Sequence, residues 1–188
     1  MRQIENKDNA NKKKQRNQII VGLLLIGLML LSTAGYAAFN TSGTSSQTFK
    51  YNKLKFENVN GYWQTTFNSV NYFFLYKPTE VKERELVVNP LSDYKDKPLY
   101  IQAVNFDAEK EVSRDLYYIS SSIKEACLKG KNCTNSDLPV KTCEDNFIII
   151  EEGEEGITQQ NNCVFIKGKY ESLTLLTDEF LYKLLGIV

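Results

Sequence analysis

The side chains in this sequence that are best suited to catalysis or metal binding belong to two pairs of acidic residues. Asp107 and Glu109 follow a predicted strand, whereas Glu144 and Asp145 open another. If the two pairs meet in space, their carboxylates can bind a divalent cation through oxygen or act as a general acid and base. The competing interpretation is that these four side chains are the solvated ends of separate elements.

Histidine is absent from all 188 residues. This absence excludes Ser-His-Asp triads, Cys-His pairs and imidazole metal sites. The sequence also lacks the glycine-rich phosphate-binding motifs and the G-x-S-x-G motif of a serine nucleophile. Carboxylates, hydroxyls and lysines are the groups that remain for catalysis, and we predict no cofactor and no dedicated metal site.

Four cysteines lie in the second half of the chain, and an even number favours two disulfides in an oxidising compartment. Three pairings are compatible with the sequence, and we favour Cys127 with Cys133 and Cys143 with Cys163. Zinc is the competing interpretation. The cysteines are separated by five, nine and nineteen residues, which does not fit the closely paired cysteines of zinc knuckles. A redox-active C-x-x-C motif is absent.

Residues 19–39 form an apolar stretch without Asp, Glu, Lys or Arg. A helix of about 20 residues is roughly 30 Å long, which matches the hydrocarbon thickness of a bilayer. The stretch therefore predicts a single transmembrane helix that acts as a signal-anchor, with the lipid bilayer as its partner. A cleaved leader is the alternative, with Gly35 and Ala37 as the small residues of a cleavage site.

The distribution of charge predicts the orientation of this helix. Residues 1–18 contain six of the 23 basic residues and two of the 23 acidic residues, a net charge of +4, and no charge follows until Lys50. Because Lys and Arg remain on the cytoplasmic side, residues 1–18 are predicted to lie inside and the C-terminal part outside the cell. That outer part keeps 17 basic and 21 acidic residues, and its negative charge argues against nucleic acid as a partner.

Behind the apolar stretch, residues 40–48 are small, polar and uncharged, which is typical of a flexible tether. Residues 49–188 have the usual size of one domain. Its first half predicts a three-stranded meander, because stretches rich in aromatic and β-branched residues alternate with Asn-containing turns. The predicted strands are 49–56, 62–67 and 72–77, followed by a candidate short helix at 79–86.

The second half of the domain contains patterns typical of helices as well as patterns typical of strands. Apolar residues at steps of four and three predict a helix that ends at Gly130, with the stripe Val112, Leu116, Ile119, Ile123 and Ala126. Strands are predicted at 98–106, 146–150 and 163–168, a loop at 151–162 and a final helix at 173–187. This order predicts an α+β domain with a mostly antiparallel sheet of about six strands and two to three helices on one face.

The stretches FKYNKLKFENVNGYWQT, YFFLYKPTEV and NNCVFIKGKYESLTLLTDEFLYKLLGI resemble the small, Lys- and Asn-rich, single-pass membrane proteins of archaea with reduced genomes. The resemblance covers about a third of the outer domain. It implies the architecture and a location in the cell membrane, but no activity for any residue.

Together these observations predict a membrane-anchored extracytoplasmic domain with a binding or envelope-structural role and with a protein or envelope partner. The alternative is a membrane-anchored hydrolase that uses Asp107 and Glu109 with Glu144 and Asp145, with or without a metal. A subunit that assembles through its membrane helix is a third possibility. The alternatives differ in whether the two acidic pairs share a cleft.

Overall fold

The computed structural model describes residues 15–30, 47–133 and 135–188. The chain divides into two units, Met1–Ser45 and Ser46–Val188.

In the first unit, residues 15–30 form helix α1. Its large apolar side chains occupy consecutive positions, and those between Ile19 and Leu28 are all more than half exposed. Within the described residues, no helix combines the length and the apolar character that crossing a membrane requires. Residues 31–39 of the predicted membrane span and residues 40–46 of the predicted tether lie outside the described residues, as do residues 1–14 of the predicted cytoplasmic segment.

The second unit opens with an antiparallel meander of four strands rather than the predicted three. The strands are β1 (Thr48–Tyr51), β2 (Leu54–Val59), β3 (Tyr62–Phe67) and β4 (Val70–Phe74). The three turns have two central residues each, all with positive φ, at Asn52–Lys53, Asn60–Gly61 and Asn68–Ser69. This backbone is that of type I′ turns, which suit tight hairpins and accept Asn readily. The predicted strand 49–56 is therefore wrong, because Asn52 folds it into a hairpin.

A second sheet has five strands in the order β10-β11-β9-β5-β6. These strands are β5 (Pro98–Ala103), β6 (Ser122–Glu125), β9 (Asn146–Glu152), β10 (Gly156–Gln160) and β11 (Cys163–Gly168). Only β10 and β11 pair antiparallel, while the other three pairings are parallel. The prediction of one mostly antiparallel sheet of about six strands is therefore wrong, although the α+β class is confirmed. Strand β10 also lies inside the stretch predicted to be a loop.

Strand β9 shows why the larger sheet is parallel in its centre. Ile148 and Ile150 belong to one hydrophobic core, and Phe147 and Ile149 belong to another on the opposite face. A strand that is buried on both faces has a continuous rather than an alternating apolar sequence, and this is typical of parallel sheets covered on both sides. The run NFIII thus matches its central position.

Two helices lie between the meander and the larger sheet. Helix α2 (Phe106–Leu116) packs against α3 (Leu173–Leu184), β4 and β5, and α3 packs against β9, β10 and β11. On the meander side, the ring of Tyr182 stacks on Phe74 with 4.0 Å between ring centroids. One continuous core therefore runs through three layers, from the meander through the helices to the larger sheet.

Helix α2 begins at an Asn105 cap, whose side chain accepts a hydrogen bond of 3.0 Å from the Ala108 amide. It ends at Leu116, much earlier than the predicted end at Gly130, and Ile123 lies in strand β6. Three consecutive serines at 120–122 explain the difference, because serine hydroxyls favour turns over helix interiors.

The predicted helix at 79–86 does not form. Residues 82–90 have no regular secondary structure, and alternate side chains point inward, with Arg84, Leu86 and Val88 less exposed than Glu85 and Val87. Period-two burial is the pattern of an extended chain. The segment is held by tertiary contacts, including a hydrogen bond of 2.7 Å from the Asn89 amide to the Gln159 side chain.

A short parallel pair, β7 (Cys127–Leu128) and β8 (Val140–Lys141), covers the outer face of the larger sheet. Here Ala126 and Leu128 join Phe147 and Ile149 in the second, smaller core. The opposite face receives α3, whose close approach requires Gly168 at the end of β11. A Cβ atom at that position would lie 2.6 Å from Leu176 Cδ1.

Candidate functional site

The two acidic pairs that the sequence predicts as a site lie at opposite ends of the parallel strands. Glu144 and Asp145 directly precede β9, whereas Asp107 and Glu109 follow β5 in the first turn of α2. In the register of these parallel strands Leu99 lies beside Asn146 and Ala103 beside Ile150. Four residues of strand separate the two ends by about 13 Å. The two pairs therefore do not share a cleft.

Each of these acidic residues has a local environment of its own. Asp145 lies 3.6 Å from Lys141 as an ion pair, and the Glu144 carbonyl accepts a hydrogen bond of 3.0 Å from the Asn162 side chain. Asp107 is exposed in the first turn of α2. These three side chains fit the interpretation as solvated element ends.

Glu109 instead meets Glu125 of β6 at a small cleft of about 40 Å³ beside Cys133. The two carboxyl groups are hydrogen-bonded to each other, and burial, followed by the charge of Glu125, raises the pKa of Glu109. Because Glu125 is exposed, water reaches this pair. The pair lies at the surface rather than in a closed reaction site.

Both favoured disulfides are confirmed. Cys127 is bridged to Cys133 with 5.5 Å between their Cα atoms, and Cys143 is bridged to Cys163 with 4.9 Å. No described cysteine is free. The first bridge closes the loop after β7, whereas the predicted helix implied that it would close a helix end. The second bridge ties the starts of β9 and β11 together, as expected.

Sequence reasoning missed a cluster of three carboxyl groups between the meander and the helices, here named the carboxyl cluster. It consists of Glu111 and Asp115 on α2 and Asp178 on α3, which are exposed by 1%, 1% and 0%. The signal was present in the sequence. Glu111 and Asp115 are one helical turn apart, and each directly precedes a residue of the predicted apolar stripe, Val112 or Leu116, so the helix buries them with it.

The carboxyl cluster binds the free backbone edge of β4 and the chain that follows it. Asp115 Oδ1 accepts a hydrogen bond of 3.2 Å from the Phe73 amide, and Asp178 Oδ2 accepts one of 2.8 Å from the Tyr76 amide. Arg114 donates to the Phe73 carbonyl, and Tyr182 donates to the Tyr76 carbonyl at 2.7 Å. The two helices thus satisfy backbone groups that an edge strand leaves unpaired.

Burial raises the pKa values of all three carboxyl groups in this cluster. Burial and the neighbouring Asp178 raise the pKa of Glu111, and burial raises the pKa of Asp178 as well. Burial also raises the pKa of Asp115 to about 6, against the opposing effect of Arg114. The carboxyl group of Glu111 faces that of Asp178, and no amide or hydroxyl donor among the described residues reaches either Glu111 oxygen.

Arg114 is the cation of this region. Its Nε lies 3.1 Å from Asp115 Oδ1, and its guanidinium carbon lies 4.9 Å from the centre of the Tyr62 ring and 5.3 Å from that of Phe73. These contacts hold the positive charge on the meander side of α2. The carboxyl cluster is closed off from solvent, so its geometry fits a structural junction rather than a reaction site.

A cleft of about 310 Å³ lies where the extended segment 82–86 crosses α3. Lys82, Arg84 and Glu179 of its lining belong to a network of ion pairs with Glu155. Arg84 binds Glu155 and lies 3.3 Å from the buried Glu179, and Lys82 lies 2.6 Å from Glu155. This network fixes the extended segment in place of the predicted helix.

A second cleft, of about 340 Å³, is here named the tyrosine cleft. It is formed by Asn68, Val70, Tyr72, Leu91, Ser92, Lys95, Asp96, Tyr118 and Ile119. Tyr118 is 78% exposed at its rim, and Tyr72 is buried in its wall. Apolar walls with a few polar groups are the usual make-up of a small-ligand site.

Among the described residues, no group of three or more Cys, Asp or Glu side chains is arranged to hold a metal ion. Comparison with protein-family models, with curated proteins and with solved structures finds no match for this chain. The class that the fold itself defines is a disulfide-bonded α+β domain of three layers, with two helices enclosed between an antiparallel meander and a mixed sheet.

Proposed function

We propose that this chain is a membrane-anchored extracytoplasmic domain that binds a partner of the cell envelope. Residues 19–39 anchor it as a single-pass signal-anchor, residues 1–18 face the cytoplasm, and the second unit lies outside the cell. Its role is binding rather than catalysis. The separation of Asp107 and Glu109 from Glu144 and Asp145 supports a binding role over the carboxylate hydrolase.

The observation that carries this proposal is the presence of two disulfides in the domain that follows an apolar, basic-flanked stretch. Disulfides persist in oxidising compartments and are rare in the cytosol. In α1, apolar side chains between Ile19 and Leu28 are exposed on all sides of the helix. A single helix has no way to bury such a surface by itself, and hydrocarbon does so without loss of backbone hydrogen bonds.

The tyrosine cleft is the binding surface in this proposal, and its ligand is a sugar unit of the envelope. The flat apolar face of Tyr118 suits the C–H face of a sugar ring, and Asn68, Ser92 and Asp96 offer hydrogen bonds to its hydroxyls. Such a site needs no catalytic group.

Protease treatment of intact cells tests the location. Cells that express the full chain with one tag at each end are treated with a protease that does not cross the membrane. We expect loss of the C-terminal tag and retention of the N-terminal tag. Protection of the C-terminal tag in intact cells, with digestion after lysis, would contradict the proposed orientation.

A further inference from the structure

The carboxyl cluster holds more acidic groups than its surroundings can neutralise. Four of its six carboxyl oxygens are buried without an amide, hydroxyl or cationic donor among the described residues, namely both oxygens of Glu111, Asp115 Oδ2 and Asp178 Oδ1. A buried charge without partners is costly, so such a group stays neutral in the folded state. The cluster is therefore stable only while it retains protons.

The charged and titratable groups that face the cluster come from three elements. Helix α2 contributes Arg114 beside Asp115, and α3 contributes Tyr182 beside Asp178. From the meander side, Tyr72 of β4 faces Asp115, and Glu80 in the turn after β4 faces Tyr182. Arg114 is the one cation in this set, and it is already bound to Asp115 and to the Phe73 carbonyl.

We propose that the carboxyl cluster is a pH-operated latch, which holds the meander on α2 and α3 in acid and releases it as the pH rises. The two closing contacts are those of Asp115 with the Phe73 amide and of Asp178 with the Tyr76 amide. When Asp115 and Asp178 lose their protons, two buried carboxylates have Arg114 as the one cation beside them. Separation of β4 from the helices admits water to both.

The direction of the pH effect depends on whether the folded or the unfolded state binds protons more tightly. The pKa values of Glu111, Asp115 and Asp178 are all raised by burial in the folded state. Each group therefore contributes stability that is fully present below its ordinary pKa of about 4 and that is lost as the pH rises through the raised value. The latch is closed in acid and open in base, and it does not depend on how the chain is anchored.

Hydrogen exchange of the full chain in detergent micelles tests the latch. Protection factors, which correct for the base catalysis of exchange, are measured by mass spectrometry at about pH 4 and about pH 8. We expect peptides that cover 62–76 to lose about tenfold or more of their protection at the higher pH, whereas peptides that cover 146–150 keep theirs. Equal loss in both regions, or no loss in either, would overturn the latch.

The double variant Asp115→Asn with Asp178→Asn ties the effect to the cluster. Asparagine does not ionise, and its oxygen still accepts from the Phe73 and Tyr76 amides, so protection of the meander is expected to become the same at both pH values. Glu85→Gln, which removes an exposed carboxylate, should keep the wild-type loss. A wild-type loss in the double variant would rule out the cluster as its origin. If the double variant does not fold, Asp115→Asn alone should show a smaller loss than the wild type, and an equal loss would overturn the latch.

Discussion

Asp178 accepts a hydrogen bond of 2.8 Å from the amide of Tyr76, a residue 102 positions away in the chain. Beside it, Tyr182 donates to the Tyr76 carbonyl and stacks on Phe74. Two residues of α3 thus bind both backbone polar groups of Tyr76, at the end of the meander. The meander is joined to the helices through backbone atoms as well as apolar side chains.

Replacement of Asp178 by alanine should weaken this junction. The Tyr76 amide would lose its acceptor in a partly buried site, which costs about 1–3 kcal/mol of unfolding free energy. We expect that loss at about pH 4, where the carboxyl group is largely protonated. Urea denaturation, followed by the fluorescence of Trp63, the one tryptophan of the chain, measures it.

Asp178→Asn is the matched control for this prediction, because an asparagine oxygen still accepts from the Tyr76 amide. It should retain most of the wild-type stability at the same pH. Equal losses in the alanine and asparagine variants would mean that the Tyr76 hydrogen bond is not what Asp178 contributes.

The contribution of the carboxyl cluster to the stability of the fold should be greatest in acid and should fall as the pH rises. The pKa of Asp115 is raised from 3.8 to about 6, and one pH unit corresponds to about 1.4 kcal/mol. This group alone therefore contributes about 3 kcal/mol below pH 4 that is lost as the pH rises through about 6. Denaturation midpoints across that range measure the slope.

Asp115→Asn should flatten this profile, since asparagine does not ionise and its oxygen still accepts from the Phe73 amide. Its stability should exceed that of the wild type at about pH 8. A wild-type profile that rises with pH instead would show that Asp115 is ionised in the folded state.

The two disulfides should contribute unequally. Cys143 and Cys163 are 20 positions apart and Cys127 and Cys133 are 6 apart. By restricting the unfolded chain, the bridge of the longer loop should stabilise the folded state by about 3 kcal/mol and that of the shorter loop by about 2 kcal/mol. Thermal unfolding of Cys143→Ala with Cys163→Ala should show the larger fall in Tm.

The corresponding double variant at Cys127 and Cys133 is the comparison, and the mass of the unreduced protein reports whether each remaining bridge is present. A larger fall in Tm for the shorter loop would contradict the loop-length argument. Four free thiols in the native protein would contradict both bridges.

Charges placed within the apolar stretch should detach the chain from membranes. Leu24→Lys combined with Leu25→Lys adds two charges near its centre, at about 3 kcal/mol each for insertion into a bilayer. We expect this variant to move from the carbonate-washed membrane fraction to the soluble fraction. Leu24→Ile with Leu25→Ile should remain with the membrane, and equal membrane retention of both variants would contradict the proposed anchor.

The tyrosine cleft can be tested with two adjacent residues of the same type. Tyr118 lines the cleft, whereas Tyr117, also exposed, does not. In NMR titrations with a panel of neutral mono- and disaccharides, Tyr118→Ala should weaken binding by about tenfold, and Tyr117→Ala should leave it unchanged. Binding that is equally weak in both variants, or no binding by the wild type, would contradict the proposed ligand.

Local patterns of sequence were sufficient for several elements. The strands YWQTTF and CVFIKG have the predicted bounds because each is a short β-prone run beside a turn signal. The final helix starts at the predicted Leu173, where its apolar period begins. Both cysteine pairings were also anticipated. Local patterns failed in the helix predicted through Ile123. There the apolar residues spaced three and four apart belong to a helix end, a turn and a strand.

Contacts between distant residues decided the rest. The parallel direction of β5, β9 and β11 depends on how α2 and β10 connect the strands. The sequence of a single strand does not reveal which strand it pairs with. Glu111 and Asp178 lie on different helices, so only packing of α2 against α3 brings their carboxyl groups together. The sequence by itself determined which residues were available for burial, because the spacing of its apolar residues matches the period of a helix or a strand. The tertiary structure decided which carboxyl groups were buried with them, because burial and neighbouring charge are properties of the assembled core.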